Sequence, residues 1–259
     1  MKMLSRKYLL VLACASLALM AACSGSSNNS NAGAAKNGNK PAGNSIPPNA
    51  PPGANPPTQA GSPTATVTIE EFADFQCPQC AAKNPILSEI RSMYGSRIRF
   101  IFRNFPLDIP AHDKSYDAAI AAQAAYAQGK FWEMEALLFN NQRNWTADPN
   151  FKQIWKSYAQ QIGLDVNKWE DDCLGLPAKQ RVDEDKKRAQ GVGVSSTPTV
   201  YLNGVEFPFE KLTTDNLKAA IDAELAKAPA TAPPVATNVP PANMPANSSN
   251  TASNVPPKK

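Results

Sequence analysis

The stretch that decides the fold is Phe75-Gln76-Cys77-Pro78-Gln79-Cys80. The segment before it, 67–72, alternates along the chain and contains β-branched residues, which predicts a strand. The segment after it carries apolar side chains at helical spacing and stops at Gly95, which predicts a helix. The two cysteines therefore lie where a strand turns into a helix N-terminus. Free backbone N–H groups and the helix dipole favour a thiolate there.

The spacing of Cys77 and Cys80 lets the two sulfurs close a disulfide or remain as two thiols, as a redox dithiol requires. Half of a zinc ribbon has the same spacing, but zinc needs two further Cys or His ligands nearby. The foldable part of the chain offers only His112 and Cys173, which are not paired in that way. The sequence favours the redox dithiol, and a metal site or an inert structural disulfide remains an alternative.

A second landmark lies in residues 193–204, which read as a loop, the Thr197-Pro198 step, a short apolar strand and an Asn-Gly hairpin turn. With this landmark the chain resembles the thioredoxin superfamily, and within it the DsbA-like thiol:disulfide oxidoreductases. Three further matches support the resemblance: a carboxylate six residues before Cys77, a proline five residues after Cys80, and the segment 102–107. The resemblance spans about residues 64–228.

The resemblance implies an α/β thioredoxin fold with a helical domain inserted at about residues 113–190, where the sequence pattern is itself helical. It also implies a cis peptide bond between Thr197 and Pro198, and these two residues would shape the groove for the substrate. No metal and no cofactor is expected beyond the Cys77–Cys80 disulfide.

The residues around the dithiol have separate expected roles. Cys77, first in the helix and nearest to solvent, is predicted to be the nucleophile, and Cys80 is predicted to resolve the mixed disulfide. Glu71 corresponds to the buried carboxylate of the family and would accept a proton from Cys80. Glu70 points to the opposite face of the strand, and Asp74 is expected to be solvated or to cap the helix.

Pro78 and Gln79, between the two cysteines, are expected to tune the dithiol. Pro78 can occupy an early helical position without losing a hydrogen bond. Strongly oxidising members of the family carry His where this chain has Gln79, and Gln supplies no positive charge. The redox potential is therefore predicted to lie below about −120 mV and above about −270 mV.

The composition of the chain separates a foldable middle from its two ends. Residues 1–63 and 229–259 each hold eight of the 24 prolines, and neither segment contains an acidic residue. This predicts a disordered tether at 24–63, one domain at 64–228 and a disordered tail at 229–259. The net charge of +4 comes from the ends, so the middle is slightly acidic and nucleic-acid binding is not expected.

The first 23 residues are typical of an export signal. A basic start is followed by an apolar run at 9–22, which is shorter than the roughly 20 residues of a spanning helix. Met20-Ala21-Ala22-Cys23 resembles a bacterial lipobox, so Cys23 is expected to carry lipid, with ordinary signal-peptidase cleavage as the alternative. The protein is therefore expected in the cell envelope, periplasmic or extracytoplasmic, and anchored to a membrane.

These patterns together predict an exported thiol:disulfide oxidoreductase that introduces disulfides into secreted proteins and is recycled by a redox partner. Three alternatives stay open: a reductase, an isomerase, and a non-catalytic thioredoxin-like binding module with a static disulfide. Cys173 is expected to be a buried, inert thiol, with a third redox role as its alternative. His112 is expected to lie at the surface.

Overall fold

The computed structural model describes residues 44–227, and within this range it contains five strands and eight α-helices. The strands are β1 (Thr58–Gly61), β2 (Val67–Ala73), β3 (Ile98–Asn104), β4 (Thr199–Leu202) and β5 (Val205–Phe207). The helices are α1 (Pro78–Tyr94), α2 (Ser115–Tyr126), α3 (Phe131–Asn140), α4 (Gln142–Ala147), α5 (Phe151–Gln161), α6 (Val166–Leu174), α7 (Leu176–Val192) and α8 (Thr214–Lys227).

The five strands form one mixed sheet in the order β1-β3-β2-β4-β5. Strands β2 and β3 are parallel and joined through α1, whereas β4 pairs antiparallel with both β2 and β5. Helices α2 to α7 are inserted between β3 and β4. This is the predicted α/β arrangement, in which the second half of the chain returns to the sheet begun by the first half.

Alternation along β2 directs its side chains to two different layers. Val67 and Ile69 pack with apolar residues of α1 and α8 on one face of the sheet. Phe72 packs on the other face, against Ala189 of α7 and Tyr201. The helical insertion has a core of its own, and that core includes Cys77 and Cys80. The dithiol is therefore held between the sheet and the insertion.

The expectation of a disordered tether is wrong for residues 44–63. This segment contains β1, and Ala54 is buried and donates its N–H to the Asp185 carboxylate. Arginine side chains hold four of its carbonyl groups; the donor and acceptor pairs are Arg188 with Pro51, Arg103 with Pro52 and Ala54, and Arg181 with Pro56. Hydrogen bonds to distant side chains thus order a segment that has few apolar side chains of its own.

The remaining predictions for the two ends fall outside the described residues. These are the signal peptide at 1–23, the lipidated Cys23, the tether at 24–43 and the tail at 229–259. Within residues 44–227, no helix is both long enough and apolar enough to cross a bilayer.

Candidate functional site

Cys77 is the N-cap residue of α1, and Pro78 occupies the first helical position. Cys80 follows within the first turn, so both sulfurs lie at the end of the helix where backbone N–H groups are free. Pro78 and Gln79 are exposed between them. The local sequence produces this geometry because proline lacks the N–H that an internal helical position would require.

The Thr197-Pro198 loop lies against the dithiol, as predicted. The Sγ atom of Cys77 is 3.2 Å from the carbonyl oxygen of Thr197, and the Thr197–Pro198 peptide bond is cis. The side chain of Cys77 remains 6% exposed, whereas Cys80 is 0% exposed. Of the two cysteines, only Cys77 keeps any exposed surface.

The pKa of the Cys77 thiol is lowered from 9.0 to about 6. The largest cause is a hydrogen bond from the Cys80 thiol, and hydrogen bonds from the Thr197 side chain and from the backbone N–H groups of Cys80 and Gln79 add to it, while burial opposes them. The neutral thiol donates to the Thr197 carbonyl, but a thiolate cannot. The Thr197 hydroxyl has no other partner and can serve as a donor to the ionised sulfur.

Cys80 and Glu71 are shifted in the opposite direction. Burial raises the pKa of Cys80 well above its usual value, and the hydrogen bond and charge of Cys77 raise it further. Burial also raises the pKa of the Glu71 carboxyl to about 8, with a further contribution from the charge of Glu135, while Arg91 opposes both. A carboxyl with such a pKa can exchange a proton near neutral pH.

Glu70 and Glu71 lie on opposite faces of the sheet, as alternation along β2 predicted. Glu70 is paired with Arg103 and Arg188, each at 2.6 Å. Burial alone would raise the pKa of Glu70, but the hydrogen bonds and charges of these two arginines lower it. Glu70 is therefore held ionised on the far face, whereas Glu71 lies on the face that carries the dithiol.

Asp74 is not a solvated or helix-capping residue, and this prediction was wrong. It is buried, and its carboxylate accepts hydrogen bonds from the N–H groups of Gln76 and Leu107 and from the Ser115 hydroxyl. The Nδ1 atom of His112 lies 2.7 Å from Asp74, so His112 is a partner of this carboxylate rather than a free surface residue. Asp74 thereby joins the turn before Cys77 to the start of the insertion.

Gln142 is a site residue that the sequence did not suggest. It begins α4, and its buried amide Nε2 donates to the carbonyl oxygens of Phe75 at 2.7 Å and Cys77 at 2.9 Å. The insertion thus fixes the backbone that carries the nucleophile. A six-residue polar helix leaves too weak a sequence pattern to be recognised in advance.

Cys173 is a free, half-buried thiol in α6, beside Trp155 and Trp169 in a cavity of about 190 Å³. Burial raises the pKa of Cys173 to about 12, and the charges of Asp172 and Glu170 raise it further. This environment agrees with an inert thiol. Residues 44–227 contain no cluster of His, Cys, Asp or Glu side chains that could hold a metal ion.

The three thiols predict a simple alkylation experiment on the reduced protein. Reaction of Cys77 with iodoacetamide is expected to rise with pH through a midpoint of about 6, because the thiolate predominates above its lowered pKa. Cys80 and Cys173 should stay unmodified at neutral pH, and Cys173 is the internal control. Peptide mass spectrometry would identify each product, and a midpoint near 9 for Cys77 would contradict the assigned environment.

Comparison with known proteins places this geometry in a wider group. Residues 54–223 match the model of the Thioredoxin family. The fold is similar to that of oxidised BdbD from Bacillus subtilis, with a TM-score of 0.58 and 22% identity, covering 66% of this chain and 94% of that one. It is also similar to a thioredoxin-like oxidoreductase from Silicibacter pomeroyi, with a TM-score of 0.55 and 23% identity over 66% and 94% of the two chains.

Curated relatives match over a shorter stretch. A protein named Na(+)/H(+) antiporter NhaA 1 from Mycolicibacterium gilvum is 34% identical over 146 residues, which is 56% of this chain and 23% of that protein. The protein of the same name from Mycobacterium sp. strain KMS is 36% identical over the same shares. The chain thus spans less than a quarter of the length of these relatives, and their name carries no function over to it.

Proposed function

The chain belongs to the thioredoxin family, and from this premise we propose that it is an exported thiol:disulfide oxidoreductase that introduces disulfides into secreted proteins. Its fold is that of the DsbA-like enzymes. One observation carries the proposal: the thiol of Cys77, the slightly exposed cysteine of the pair, has a lowered pKa and lies 3.2 Å from the carbonyl oxygen before Pro198, while Cys80 is fully buried.

The reaction begins when a client thiolate attacks Sγ of Cys77 in the oxidised enzyme. The Cys77–Cys80 bond breaks, and Cys80 leaves as a thiolate that takes a proton from the neutral Glu71 carboxyl. A second client thiolate then attacks the client sulfur of the mixed disulfide, and Cys77 leaves as a stable thiolate. The client gains a disulfide and the enzyme becomes a dithiol, so a redox partner must reoxidise it. The backbone beside Pro198 would pair with an extended client segment.

The pKa of Cys77 supports the oxidising direction. The pKa of Cys77 is lower in the folded protein than in the unfolded chain, so ionisation of this thiol stabilises the folded, reduced protein. The stabilisation is complete at pH values above 9.0, the pKa of the unfolded thiol. That stabilisation is lost as the pH falls through about 6. The disulfide form has no ionisable thiol, so it is not stabilised in this way. A value of about 6 lies between the roughly 7 of thioredoxin and the roughly 3.5 of DsbA. We therefore expect a potential between about −270 and −120 mV, in keeping with an uncharged Gln79.

Three turnover assays test the function, with Cys77→Ala as the inactive control. Oxidative refolding of a reduced multi-disulfide protein is expected to be accelerated. Acceleration of insulin reduction alone would instead assign a reductase, and recovery of activity from a scrambled protein would assign an isomerase. Activity in none of the three assays would overturn the enzymatic proposal and leave a non-catalytic binding module.

The location of the protein is a further part of this proposal. Export signals at 1–23 and the lipobox ending at Cys23 support an envelope protein with a lipid anchor, in a compartment where disulfides persist. The mass of the mature N-terminus tests the anchor, because an N-terminus without added acyl mass would exclude it.

A further inference from the structure

A buried cluster of titratable side chains lies behind the dithiol, and apart from Glu71 its members have no role in the reaction described so far. It consists of Glu71 of β2, Glu135 of α3 and Arg91 of α1. Both carboxylates are buried, and Nη2 of Arg91 is 3.6 Å from Oε2 of Glu135. The guanidinium also lies 3.9 Å from the centre of the Trp132 ring, and 14% of the Arg91 side chain reaches solvent.

The polar atoms of this cluster are unusually poor in hydrogen bonds. The four carboxylate oxygens of Glu71 and Glu135 and Nη1 of Arg91 are buried without a hydrogen-bond partner. Residues 44–227 contain nine such side-chain atoms, and five of them belong to this cluster. Buried polar groups are nearly always paired with protein or with ordered water. Five buried polar atoms without hydrogen-bond partners in one cluster indicate a polar path that can admit water or share a proton between side chains.

The positions of the three side chains give this path a direction. Glu71 lies opposite Phe102 of β3 in the sheet, and Phe102 shares a buried core with Cys80. Glu71 is therefore at the end nearest the resolving sulfur, and its charge adds to the raised pKa of Cys80. Glu135 acts on Glu71 more strongly than any other charged group does. Arg91 acts on both carboxyls, and it alone among the three is partly exposed. The order from the sulfur to solvent is therefore Glu71, Glu135, Arg91.

Resting on the function proposed above, we propose that Glu135 is a positioning residue that relays the proton of Cys80 between Glu71 and solvent. When Cys80 attacks a mixed disulfide, its proton passes to the Glu71 carboxylate, then to the Glu135 carboxylate, and finally to water at the Arg91 edge. The reverse path delivers a proton when Cys80 is the leaving group. Arg91 keeps its own proton throughout and stabilises the ionised form of Glu135.

The charges that face this relay are few in the described part of the chain. They are Arg91 and the dithiol, both from α1, and Glu71 from β2. Three other helices, α2, α4 and α5, also pack against α3. None of these three contributes a charge that acts on the carboxyl of Glu71 or of Glu135. Burial raises the pKa of Glu135 to about 7 and Arg91 lowers it, so both carboxyls titrate near neutrality. Changes of opposite charge should therefore move the titration in opposite directions.

The test follows resolution of a mixed disulfide from pH 5 to 9. The reduced protein is mixed with glutathione disulfide and quenched with acid, and mass spectrometry separates the Cys77–glutathione adduct from the Cys77–Cys80 disulfide. In wild type the resolution rate should rise with pH as Glu71 ionises. With Glu135→Gln we expect the midpoint to fall by about one pH unit, because a charge opposing that ionisation is removed. The plateau rate should also fall about tenfold, because the relay is broken.

Three further variants make the outcome decisive. Arg91→Met should raise the midpoint, and Glu135→Asp should restore much of the plateau rate. Glu133→Gln, an exposed neighbour on the same helix, should match wild type. A structural role alone would slow both buried-site variants without opposite pH shifts. Unchanged midpoint and plateau in Glu135→Gln would overturn the relay, whereas absence of adduct formation in wild type would overturn the enzymatic function itself.

Discussion

A Cys80→Ser variant is expected to accumulate a covalent adduct with a disulfide-containing client. In the reducing direction, the Cys77 thiolate attacks a client disulfide and one client sulfur leaves. Without Cys80 the enzyme has no internal thiol to displace the client, so the adduct persists. Intramolecular displacement is far faster than attack by a dilute external thiol, and the adduct should exceed that of wild type on the order of 100-fold.

Non-reducing electrophoresis of the reduced variant mixed with insulin would measure this adduct, and dithiothreitol should release it. Cys77→Ser is expected to give no adduct, and Cys173→Ser should behave as wild type because its thiol is un-ionised and half-buried. An equal adduct in Cys77→Ser and Cys80→Ser would show that the roles assigned to the two cysteines are wrong.

Much of the fold could be predicted because its signals are local. The strand before Cys77 and the helix after it follow from period-2 and helical patterns, and their observed bounds, Val67–Ala73 and Pro78–Tyr94, agree with those patterns. The Thr197-Pro198 step could be assigned to the site only through resemblance, since nothing local links residues more than a hundred positions apart.

The features that were missed depend on long-range polar contacts. The sequence predicts a solvated or helix-capping residue at Asp74, because its partners His112 and Ser115 lie about forty residues away along the chain. Glu135 left one usable signal: it falls on the helical face defined by Phe131, Met134 and Leu138, which are all buried. A carboxylate on an apolar face predicts either a buried partner or a proton-transfer role.

Residues 44–63 are also ordered by contacts with residues far away in the sequence, which a local pattern does not predict. These contacts lead to the prediction with the largest expected effect on stability. Asp185 of α7 is fully buried, and its carboxylate accepts four hydrogen bonds. Oδ1 accepts from Ala54 N and Arg103 Nη1, each at 3.0 Å. Oδ2 accepts from the backbone and side-chain amides of Asn104, each at 3.1 Å. One residue therefore joins the N-terminal segment, the sheet and the last helix of the insertion.

Asp185→Asn is expected to lower the free energy of unfolding by about 3–5 kcal/mol, the usual cost of removing one member of a buried ion pair. The new amide group would face two donors whichever way it turned, and Arg103 would keep only Glu70 as its charge partner. Urea unfolding of the reduced protein measures the change. Glu184→Gln, an exposed substitution on the same helix, should stay within about 0.5 kcal/mol of wild type.

Proteolysis separates a local from a global effect of the same substitution. If Asp185 mainly anchors the N-terminal segment, Asp185→Asn should first become cleavable within residues 44–57 while the remaining domain stays intact. Such cleavage is expected because Asp185 and its partner Arg103 together make three of the hydrogen bonds that hold this segment. An unchanged urea midpoint together with an uncleaved segment would mean that β1 and the remaining arginine contacts suffice, and that the Asp185 network contributes little to the fold.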